Sequence, residues 1–371
     1  MNNLLTSLSL IAIFPYIIFP LIISFLRYFT SIKREKFSKF NSKPSGLTIL
    51  ISIFNEEKII YNRLKNISIQ NFSEPLEVFV VLDGCEDDSL SEVMRFKKEN
   101  KNFDLNFHIS DRNFGQAKAQ NLVAKKAKYN IILKTDAGTI FNENFLSNIF
   151  AKFSDDEVAV VGGCINFCSN ESFTKVYKLY FKYEQFLRKV HYSLGYPVKV
   201  SGACTAFRKD IWSDIDDFED VDQVITIFAE RQNYKVFQEF QNCCIDFSSS
   251  SAKKEIASRS RMTAKGLKST FKYLSFNFFL KHTIFCIFLI SHKVMRYLSS
   301  PLILVISLIL VYELINYSKT LFLLVILLLI LSRRLRSALL SILSSLIGQT
   351  LGIYRAFFDK KLGPYKPTLH K

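Results

Sequence analysis

The sequence predicts an α/β protein whose mostly parallel, doubly wound sheet is flanked by N-terminal and C-terminal transmembrane helices. Between about residues 45 and 240, short apolar runs alternate with segments of helical periodicity, a pattern typical of strands joined by crossover helices. Apolar residues also dominate the first 30 positions and the region after about residue 276. The net charge is +16. Together with the apolar ends, this charge favours an anionic membrane surface or phosphorylated substrates over nucleic acid.

Residues 1–30 are predicted to form a transmembrane helix. Leu4 to Leu26 carry no charge, and at roughly 1.5 Å per residue they can cross a hydrocarbon core of roughly 30 Å. The basic residues Lys33, Arg34, Lys36 and Lys39 follow at once, so the positive-inside rule puts the next domain in the cytoplasm. A cleaved signal peptide is the alternative, but its basic cluster would precede the apolar run.

Residues 271–371 are predicted to contain an interfacial helix, C-terminal membrane segments and a basic tail. Phe276 to Ile290 is apolar but interrupted by polar side chains, which indicates a helix at the membrane surface. Leu302 to Ile315 and Leu321 to Leu331 are the predicted spans. Three arginines then mark a return to the cytoplasm: Arg333, Arg334 and Arg336.

The number of C-terminal crossings stays open. Residues 338–358 are apolar but interrupted by glycine and serine, and the lysine-containing tail 360–371 prefers the cytoplasmic side. A crossing by residues 338–358 that starts at the cytoplasmic arginines would leave the tail on the opposite side of the membrane. Either one segment is therefore re-entrant or one predicted crossing is wrong.

Cysteine usage indicates reduced thiols. The seven cysteines are scattered and odd in number, and their spacings, including Cys164 to Cys168 and the adjacent Cys243-Cys244 pair, lack the pattern of a zinc finger. We therefore expect free thiols in a cytosolic compartment and no metal cluster.

The central domain, residues 45–270, contains three acidic residues that each follow an apolar strand. Glu56 follows the strand from Leu47 to Ile53, Asp83 follows the strand from Val78 to Leu82, and Asp136 follows the strand that begins at Ile131. The carboxyl ends of parallel strands share one edge of a sheet, and ligands bind there in open α/β folds. A helix cap at Glu56 and a turn at Asp83 are the alternatives for these positions taken singly.

The segments around these acids resemble the motifs of the family 2 inverting glycosyltransferases, which have the GT-A fold. The segments are Phe54-Asn55-Glu56-Glu57, Asp83-Gly84-Cys85-Glu86-Asp87 and Thr135-Asp136-Ala137-Gly138. The resemblance covers roughly Leu47 to Gly266. It implies that Glu56 and Asp83, with Asn55, contact the nucleoside of a UDP-sugar. It also implies that Asp136 binds a Mg²⁺ or Mn²⁺ ion that bridges the donor's diphosphate.

Two departures from the family pattern stand out. Gly138 occupies the second position of the family's Asp-x-Asp motif, which leaves one carboxylate ligand for the metal and gives the donor's phosphates a larger share of its binding. Gln116 follows Gly115 where the family favours lysine. Asn121, farther along the same predicted helix, matches the family and is assigned to substrate binding through the resemblance.

Two more segments carry the resemblance into the second half of the domain. Ser201-Gly202, six residues before Arg208, is similar to the family segment that lines the donor and acceptor sugars. The family also places its acidic base about eleven residues before a Gly-Tyr helix end. Asn233-Tyr234 fits that end, so counting back selects Asp222 as the base, with Asp220 next in line.

A basic segment, residues 253–266, follows. Arg259 and Arg261 match the family's R-x-R element, which the resemblance implies closes over the leaving diphosphate. Met262 stands where processive synthases have tryptophan, which weakens the case for processivity. Attraction of this segment to anionic lipid is the alternative for its lysines.

The leading hypothesis is a hexosyltransferase of polysaccharide or glycolipid synthesis. It would be an integral protein of the bacterial inner membrane with a cytoplasmic catalytic domain, moving a sugar from a UDP-sugar to a lipid-linked or glycan acceptor by direct displacement. No nucleic-acid partner is expected, and the sequence does not indicate an oligomeric state. Two alternatives stay open: a polysaccharide synthase subunit and a degenerate nucleotide-binding membrane scaffold. The almost wholly aliphatic C-terminal spans argue against a transporter. The sequence lacks the Walker loop or second strand-end metal carboxylate expected of a nucleotidyl- or phosphoryl-transfer enzyme.

Overall fold

The computed structural model describes residues 2–28, 34, 37–168, 172–247 and 251–359, which fall into two compact units. The sheet unit contains residues 34–168 and 194–247, and the helical unit contains residues 2–28, 172–193 and 251–359. Each unit combines segments that are far apart in the sequence, so the units do not correspond to the predicted domains. The predicted domain ranges 1–30, 45–270 and 271–371 therefore stay predictions.

The sheet unit is built on a seven-stranded sheet with the order β3-β2-β1-β4-β6-β5-β7. Strands β1 to β4 and the β5–β7 pair run parallel, and β6 is antiparallel to both β4 and β5. The predicted mostly parallel α/β sheet is thus confirmed. The strands are β1 Leu47–Ile53, β2 Leu76–Asp83, β3 Leu105–Ser110, β4 Ile131–Thr135, β5 Val158–Cys168, β6 Cys204–Arg208 and β7 Lys235–Phe247.

The central strands form because both of their faces are covered. All five residues of β4 are buried, and so are six of the seven residues of β1, as expected for continuous apolar runs in a parallel sheet. Helices with one apolar face connect these strands. They are α3 Ile60–Ser68, α4 Ser89–Glu99, α5 Gln116–Lys126, α6 Phe145–Ala151 and α8 Val221–Arg231.

Two turns at the carboxyl edge of the sheet depend on special backbone geometry. Asn55, just after β1, has a φ of 56°, and Gly84, just after β2, has a φ of 74°. A Cβ atom on Gly84 would lie 2.4 Å from the backbone nitrogen of Asn113, so only glycine fits there. These turns set the paths of the loops that carry the acidic residues.

A disulfide corrects the expectation of reduced thiols throughout. Cys164 and Cys243 are partners in the parallel register of β5 and β7, and their sulfur atoms are bonded. Residues 79 positions apart in sequence become neighbours only through this strand pairing, which is why cysteine spacing could not reveal the bond. Among the cysteines with described side chains, the thiols are Cys85, Cys204, Cys244 and Cys286.

The helical unit contains three helices that are long and apolar enough to cross a membrane: Leu5–Leu26, Thr283–Tyr317 and Arg333–Phe358. A shorter apolar helix, Lys319–Leu331, joins the last two. With 13 residues, it would reach only about 20 Å at the helical rise per residue, which is less than a hydrocarbon core. The predicted span from Leu321 to Leu331 is therefore too short in the structure to cross by itself.

The predicted interfacial helix from Phe276 to Ile290 is wrong as a single element. It breaks at His282, and its second part continues into the span Thr283–Tyr317. Residues 338–358 form one continuous helix, and the basic tail 360–371 lies outside the described residues. The helices of this unit, apart from two short π-helical turns, are α1 Asn2–Ile13, α2 Phe19–Leu26, α7 Ser172–Leu194, α9 Ala252–Tyr273, α10 Phe276–Lys281, α11 Thr283–Leu289, α12 Met295–Tyr317, α13 Lys319–Leu331 and α14 Arg333–Phe358.

Two glycines bring α14 close to α9. A Cβ atom on Gly348 would lie 2.8 Å from the carbonyl oxygen of Ile256, and one on Gly352 would lie 2.6 Å from that of Ser260. Small residues four positions apart permit such close helix packing in membrane proteins.

A buried carboxylate holds part of the helical unit together. Glu184 on α7 accepts hydrogen bonds from Lys293 Nζ and Arg296 Nη1, each at 2.6 Å. Burial raises the pKa of Glu184, but the neighbouring Lys293, His292 and Arg296 outweigh it and leave the pKa well below its ordinary value. The carboxylate is thus ionised, and it neutralises cations that would be costly to bury alone.

Candidate active site

Glu56 and Asp136 form an acidic group at the carboxyl edge of the sheet, as the positions of their strands predict. Burial, followed by the carboxylates of Asp87 and Asp136, raises the pKa of Glu56 to about 7. The backbone nitrogen of Glu56 donates to Ser89 Oγ at 2.9 Å, which ties the loop after β1 to the start of α4. The concentration of negative charge at this edge suits a cation or a set of hydrogen-bond donors.

Asp136 is held between β4 and the start of β6. Its backbone nitrogen donates to the carbonyl of Ala203 at 3.3 Å. Gln116 Nε2, at the first turn of α5, donates to Asp136 Oδ1 at 3.4 Å. Gln116 is thus a site residue that the sequence analysis missed. The feature of the sequence that could have identified Gln116 is its position, where the family favours lysine.

The predicted base, Asp222, lies in the first turn of α8. Its Oδ1 accepts a hydrogen bond from Lys134 Nζ at 2.7 Å. On the other side, a Cβ atom built on Gly202 would lie 2.5 Å from Asp222 Oδ2. The helix ends with Asn233 at a φ of 61°, which confirms the left-handed helix end from which Asp222 was counted.

Lys134 brings the two halves of the predicted site together. Burial lowers the pKa of its ammonium group, but the carboxylates of Asp222, Asp136 and Asp220 together outweigh burial, so the pKa is raised. The predicted metal ligand and the predicted base therefore act on the same ammonium group.

Asp220, the second candidate base, has a different partner. It is the residue that caps α8, and its carboxylate forms an ion pair with Lys199 in which both side chains are buried. This pairing leaves Asp222 as the more exposed of the two carboxylates, with 17% of its side chain accessible against 8% for Asp220. Exposure thus favours Asp222 as the group that meets an acceptor.

Three predicted substrate-binding residues also hold loops in place. Asp83 accepts from the backbone nitrogens of Phe114 and Gly115 at 2.8 and 2.7 Å. Asn121 exchanges two hydrogen bonds with the backbone of Ile215, at 2.8 and 3.0 Å. Asn55 Oδ1 accepts from the backbone nitrogen of Glu86 at 2.8 Å. These structural bonds were not foreseen, and the predicted contacts of Asp83, Asn121 and Asn55 with a substrate stay predictions.

Ser201 and Gly202 precede β6, next to Asp136 and Asp222. Ser201 is 2% exposed, and within the described part of the chain its hydroxyl has no hydrogen-bond partner. A buried hydroxyl without a partner is costly. This observation supports the prediction that Ser201 takes part in substrate binding, without testing it.

Arg259 and Arg261 lie on α9, in the helical unit. Arg259 Nε donates to Glu255 Oε1 at 2.7 Å, and its guanidinium lies 5.0 Å from the ring centroid of Tyr180. The predicted role of both arginines toward a leaving diphosphate stays a prediction.

Asp136 suits a divalent cation only if the donor supplies further ligands. Among the described residues, no group of three His, Cys, Asp or Glu side chains is placed to hold a metal. Asp136 offers one carboxylate. Glu56, whose pKa is raised by burial and by the carboxylates of Asp87 and Asp136, lies nearby. Mg²⁺ and Mn²⁺ commonly complete their coordination with substrate phosphates and water, so this donor set fits such an ion.

The chain is similar to known glycosyltransferases. Residues 48–215 match the sequence model of Glycosyl transferase family 2. The poly-β-1,6-N-acetyl-D-glucosamine synthase of Staphylococcus aureus strain COL is 29% identical over 136 residues, which are 35% of this chain and 31% of that protein. The protein of the same name from Staphylococcus epidermidis is 25% identical over 32% of this chain and 29% of its own length. The similarity thus spans less than a third of these relatives.

A solved structure extends the likeness to almost the whole chain. The mannosyltransferase PcManGT of Pyrobaculum calidifontis, determined in complex with GDP-Man and Mn²⁺, matches with a TM-score of 0.70 and 16% identity over 97% of this chain and 99% of that one. At this identity the likeness shows a shared fold. The chain therefore shares the GT-A fold that the sequence predicts, and its residues 48–215 match a domain of glycosyl transferase family 2.

Proposed function

We propose that the protein is an inverting hexosyltransferase that moves a sugar from a UDP-sugar to a lipid-linked or glycan acceptor at a membrane. The observation that carries the proposal is the arrangement around Lys134, where Asp222 lies 2.7 Å away and Asp136 is close enough to act on the same charge. An inverting transfer needs a base and a place for the diphosphate at one site.

Asp222 is the proposed general base. It removes the proton from the acceptor hydroxyl while the acceptor oxygen attacks the anomeric carbon. The bond from that carbon to the diphosphate oxygen breaks, and its electron pair leaves with UDP. Lys134 and the start of α8 both place positive charge or partial positive charge beside the Asp222 carboxylate.

The loops after β1, β2 and β4 are proposed to bind the donor. Asn55, Glu56 and Asp83 would contact the nucleoside, and Asn121 and Ser201-Gly202 would complete the donor and acceptor side. Asp136 would hold Mg²⁺ or Mn²⁺, which when bound supplies positive charge to the diphosphate. Arg259 and Arg261 would neutralise the leaving group, for which arginine is well suited.

The proposed acceptor belongs to the membrane. Three helices have the length and composition of membrane spans, and basic residues follow the first of them, which favours a cytoplasmic catalytic domain. This arrangement supports a location in the bacterial inner membrane and an acceptor that is reached from the bilayer. It also supports a product used in the cell envelope.

The donor and acceptor are tested by transfer assays on the full chain in detergent or nanodiscs. Radiolabelled UDP-glucose, UDP-galactose, UDP-N-acetylglucosamine and GDP-mannose are each supplied with Mn²⁺ and a bacterial lipid extract. We expect label in the lipid or glycan fraction from one UDP-sugar, and loss of transfer in Asp222→Asn. Transfer from GDP-mannose alone would contradict the UDP part of the proposal, and binding of nucleotide without transfer from any donor would favour a degenerate scaffold.

A polysaccharide synthase subunit is the second candidate. The similarity to two poly-β-1,6-N-acetyl-D-glucosamine synthases favours it, whereas Met262, in the position where processive synthases have tryptophan, opposes it. Product length separates the two functions. A single added sugar supports the first proposal, and a ladder of increasing length supports the second.

A further inference from the structure

Lys134 is a buried cation in the middle of the sheet. It is the fourth of the five residues of β4, between Leu50 on β1 and Thr205 on β6. Its side chain is 5% exposed. The strand is otherwise apolar up to Thr135, and a lysine in such a place is rare unless a carboxylate neutralises it.

Asp222 is the carboxylate that neutralises it. Lys134 Nζ donates to Asp222 Oδ1 at 2.7 Å. The other charged groups that face this pair are Asp136 at the end of β4 and Asp220 at the start of α8. Asp220 is itself paired with Lys199 from the segment before β6. Lys134 thus pairs with Asp222, and Lys199 pairs with Asp220.

The two oxygens of Asp222 consequently have different surroundings. Oδ1 is bound to Lys134, and Oδ2 lies next to Gly202, where an added Cβ would be 2.5 Å from Oδ2 and 3.6 Å from Oδ1. Gly202 belongs to the segment proposed to line the sugars. Oδ2 is therefore the oxygen on the substrate side.

We propose that Lys134 is a positioning residue that fixes Asp222 Oδ1 and so presents Oδ2 as the atom that takes the acceptor's proton. This inference rests on the proposed function. The acceptor's O–H proton moves to Oδ2, the acceptor oxygen bonds to the anomeric carbon, and the bond to the diphosphate oxygen breaks with its electrons on UDP. Lys134 keeps its hydrogen bond to Oδ1 and does not touch the substrate.

The expected signature is a loss in kcat alone. Without the ammonium group, the carboxylate of Asp222 can rotate, and small misplacements of a catalytic group cost up to about 100-fold in rate. Lys134→Met should therefore lower kcat by about 10- to 100-fold while the donor KM and the affinity for UDP change by less than about twofold. Lys134→Arg keeps the charge and should recover most of the loss.

The test compares Lys134→Met, Lys134→Arg, Asp222→Asn and the double variant Lys134→Met/Asp222→Asn in detergent. Lys199→Met is the matched control, because it removes the other buried lysine that pairs with an acid at the start of α8. The measurements are kcat, donor KM, the Kd of UDP, the Mn²⁺ concentration for half-maximal rate, and the unfolding temperature. Lys199→Met should lower the unfolding temperature but reduce kcat less than Lys134→Met.

Several outcomes would overturn the inference. A rise in donor KM or in the Mn²⁺ requirement that accounts for the loss in Lys134→Met would assign Lys134 to donor or metal binding. Equal kcat losses in Lys134→Met and Lys199→Met, or no rescue by Lys134→Arg, would reduce Lys134 to a structural role.

Unfolding temperatures test the pairing of Lys134 with Asp222 in two cases where activity cannot be compared. If Lys134→Met unfolds too readily to assay, the double variant, which removes both charges, should unfold at a higher temperature than Lys134→Met alone. If wild type transfers no sugar from any donor, the proposed function fails. The pairing of Lys134 with Asp222 is then judged by the unfolding temperatures of wild type, Lys134→Met, Asp222→Asn and the double variant. Additive effects of the two substitutions would contradict it.

Discussion

Gly202 and Asp222 touch so closely that the turn has no room for a methyl group. A Cβ atom on Gly202 would come within 2.5 Å of Asp222 Oδ2, closer than non-bonded atoms approach. The proposed base and the segment proposed to line the sugars are therefore fitted to each other.

Gly202→Ala should displace the base. The added methyl group must push Asp222 or the turn aside, since overpacking of this kind costs about 1–3 kcal/mol. We expect kcat to fall by at least about 10-fold and the unfolding temperature to drop. Ser201→Ala is the neighbouring control, because it removes a buried hydroxyl that has no hydrogen-bond partner among the described residues and should not lower stability. An active, stable Gly202→Ala enzyme would show that Asp222 need not lie against this turn.

Glu56 should make stability depend on pH. The pKa of Glu56 is raised from 4.5 to about 7 in the folded protein, so the unfolded chain loses this proton at lower pH than the folded one. The free energy of unfolding therefore falls as pH rises through that window, and the loss is complete above about pH 7. Glu56→Gln should remove it.

The measurement is chemical unfolding of wild type and Glu56→Gln at two pH values. Because Glu56 is only half-buried, solvent screening reduces the effect, and we expect the variant to be more stable by on the order of 1 kcal/mol at about pH 8. The difference should shrink at about pH 5. A difference that is the same at both pH values would contradict the raised pKa.

Asp136→Asn should weaken metal-dependent nucleotide binding. A ligand at 100 times its Kd stabilises the folded state by about 2.7 kcal/mol, so UDP with Mn²⁺ should raise the unfolding temperature of wild type. We expect Asp136→Asn to lose most of the part that depends on Mn²⁺. Asp214→Asn, which removes an exposed carboxylate paired with Lys125, is the control. A full Mn²⁺-dependent shift in Asp136→Asn would place the metal elsewhere.

Glu184→Gln should destabilise the helical unit. Removing the carboxylate leaves Lys293 and Arg296 buried without their anion, and breaking a buried ion pair costs about 3–5 kcal/mol. Asp359→Asn, which breaks the half-exposed pair with Arg355, should cost about 0–1 kcal/mol. Thermal unfolding and limited proteolysis in detergent compare the two. Equal losses would mean that the Glu184 network adds no more than a surface pair.

Much of the fold was predictable because local signals and tertiary structure agree. The strand from Leu47 to Ile53 has the predicted bounds, since a run of apolar residues between turn residues has no competing structure. The count that selects Asp222 starts at Asn233, whose left-handed geometry is observed, while the role of Asp222 stays a prediction. The predicted acids Glu56 and Asp136 do lie near one another, as their strand ends require.

Other features depend on contacts that sequence spacing does not encode. Lys134 and Asp222 are 88 positions apart, and only the tertiary fold brings the first turn of α8 to this lysine. The Cys164–Cys243 bond depends on the register of β5 with β7. The hydrogen bonds that Asp83 accepts from the backbone of Phe114 and Gly115 could not be predicted either. The sequence around a strand-end aspartate does not indicate whether its carboxylate binds a ligand or a loop.

The central claim is that Asp222 is the base at a site that binds the donor independently of it. The most direct test measures kcat and the Kd of UDP for Asp222→Asn in the full chain. We predict that kcat falls by about 10²–10⁴-fold, the usual contribution of a general base, while the Kd of UDP stays within about twofold. Near-normal turnover in Asp222→Asn, with UDP still bound, would contradict the account and make Asp220 the next candidate.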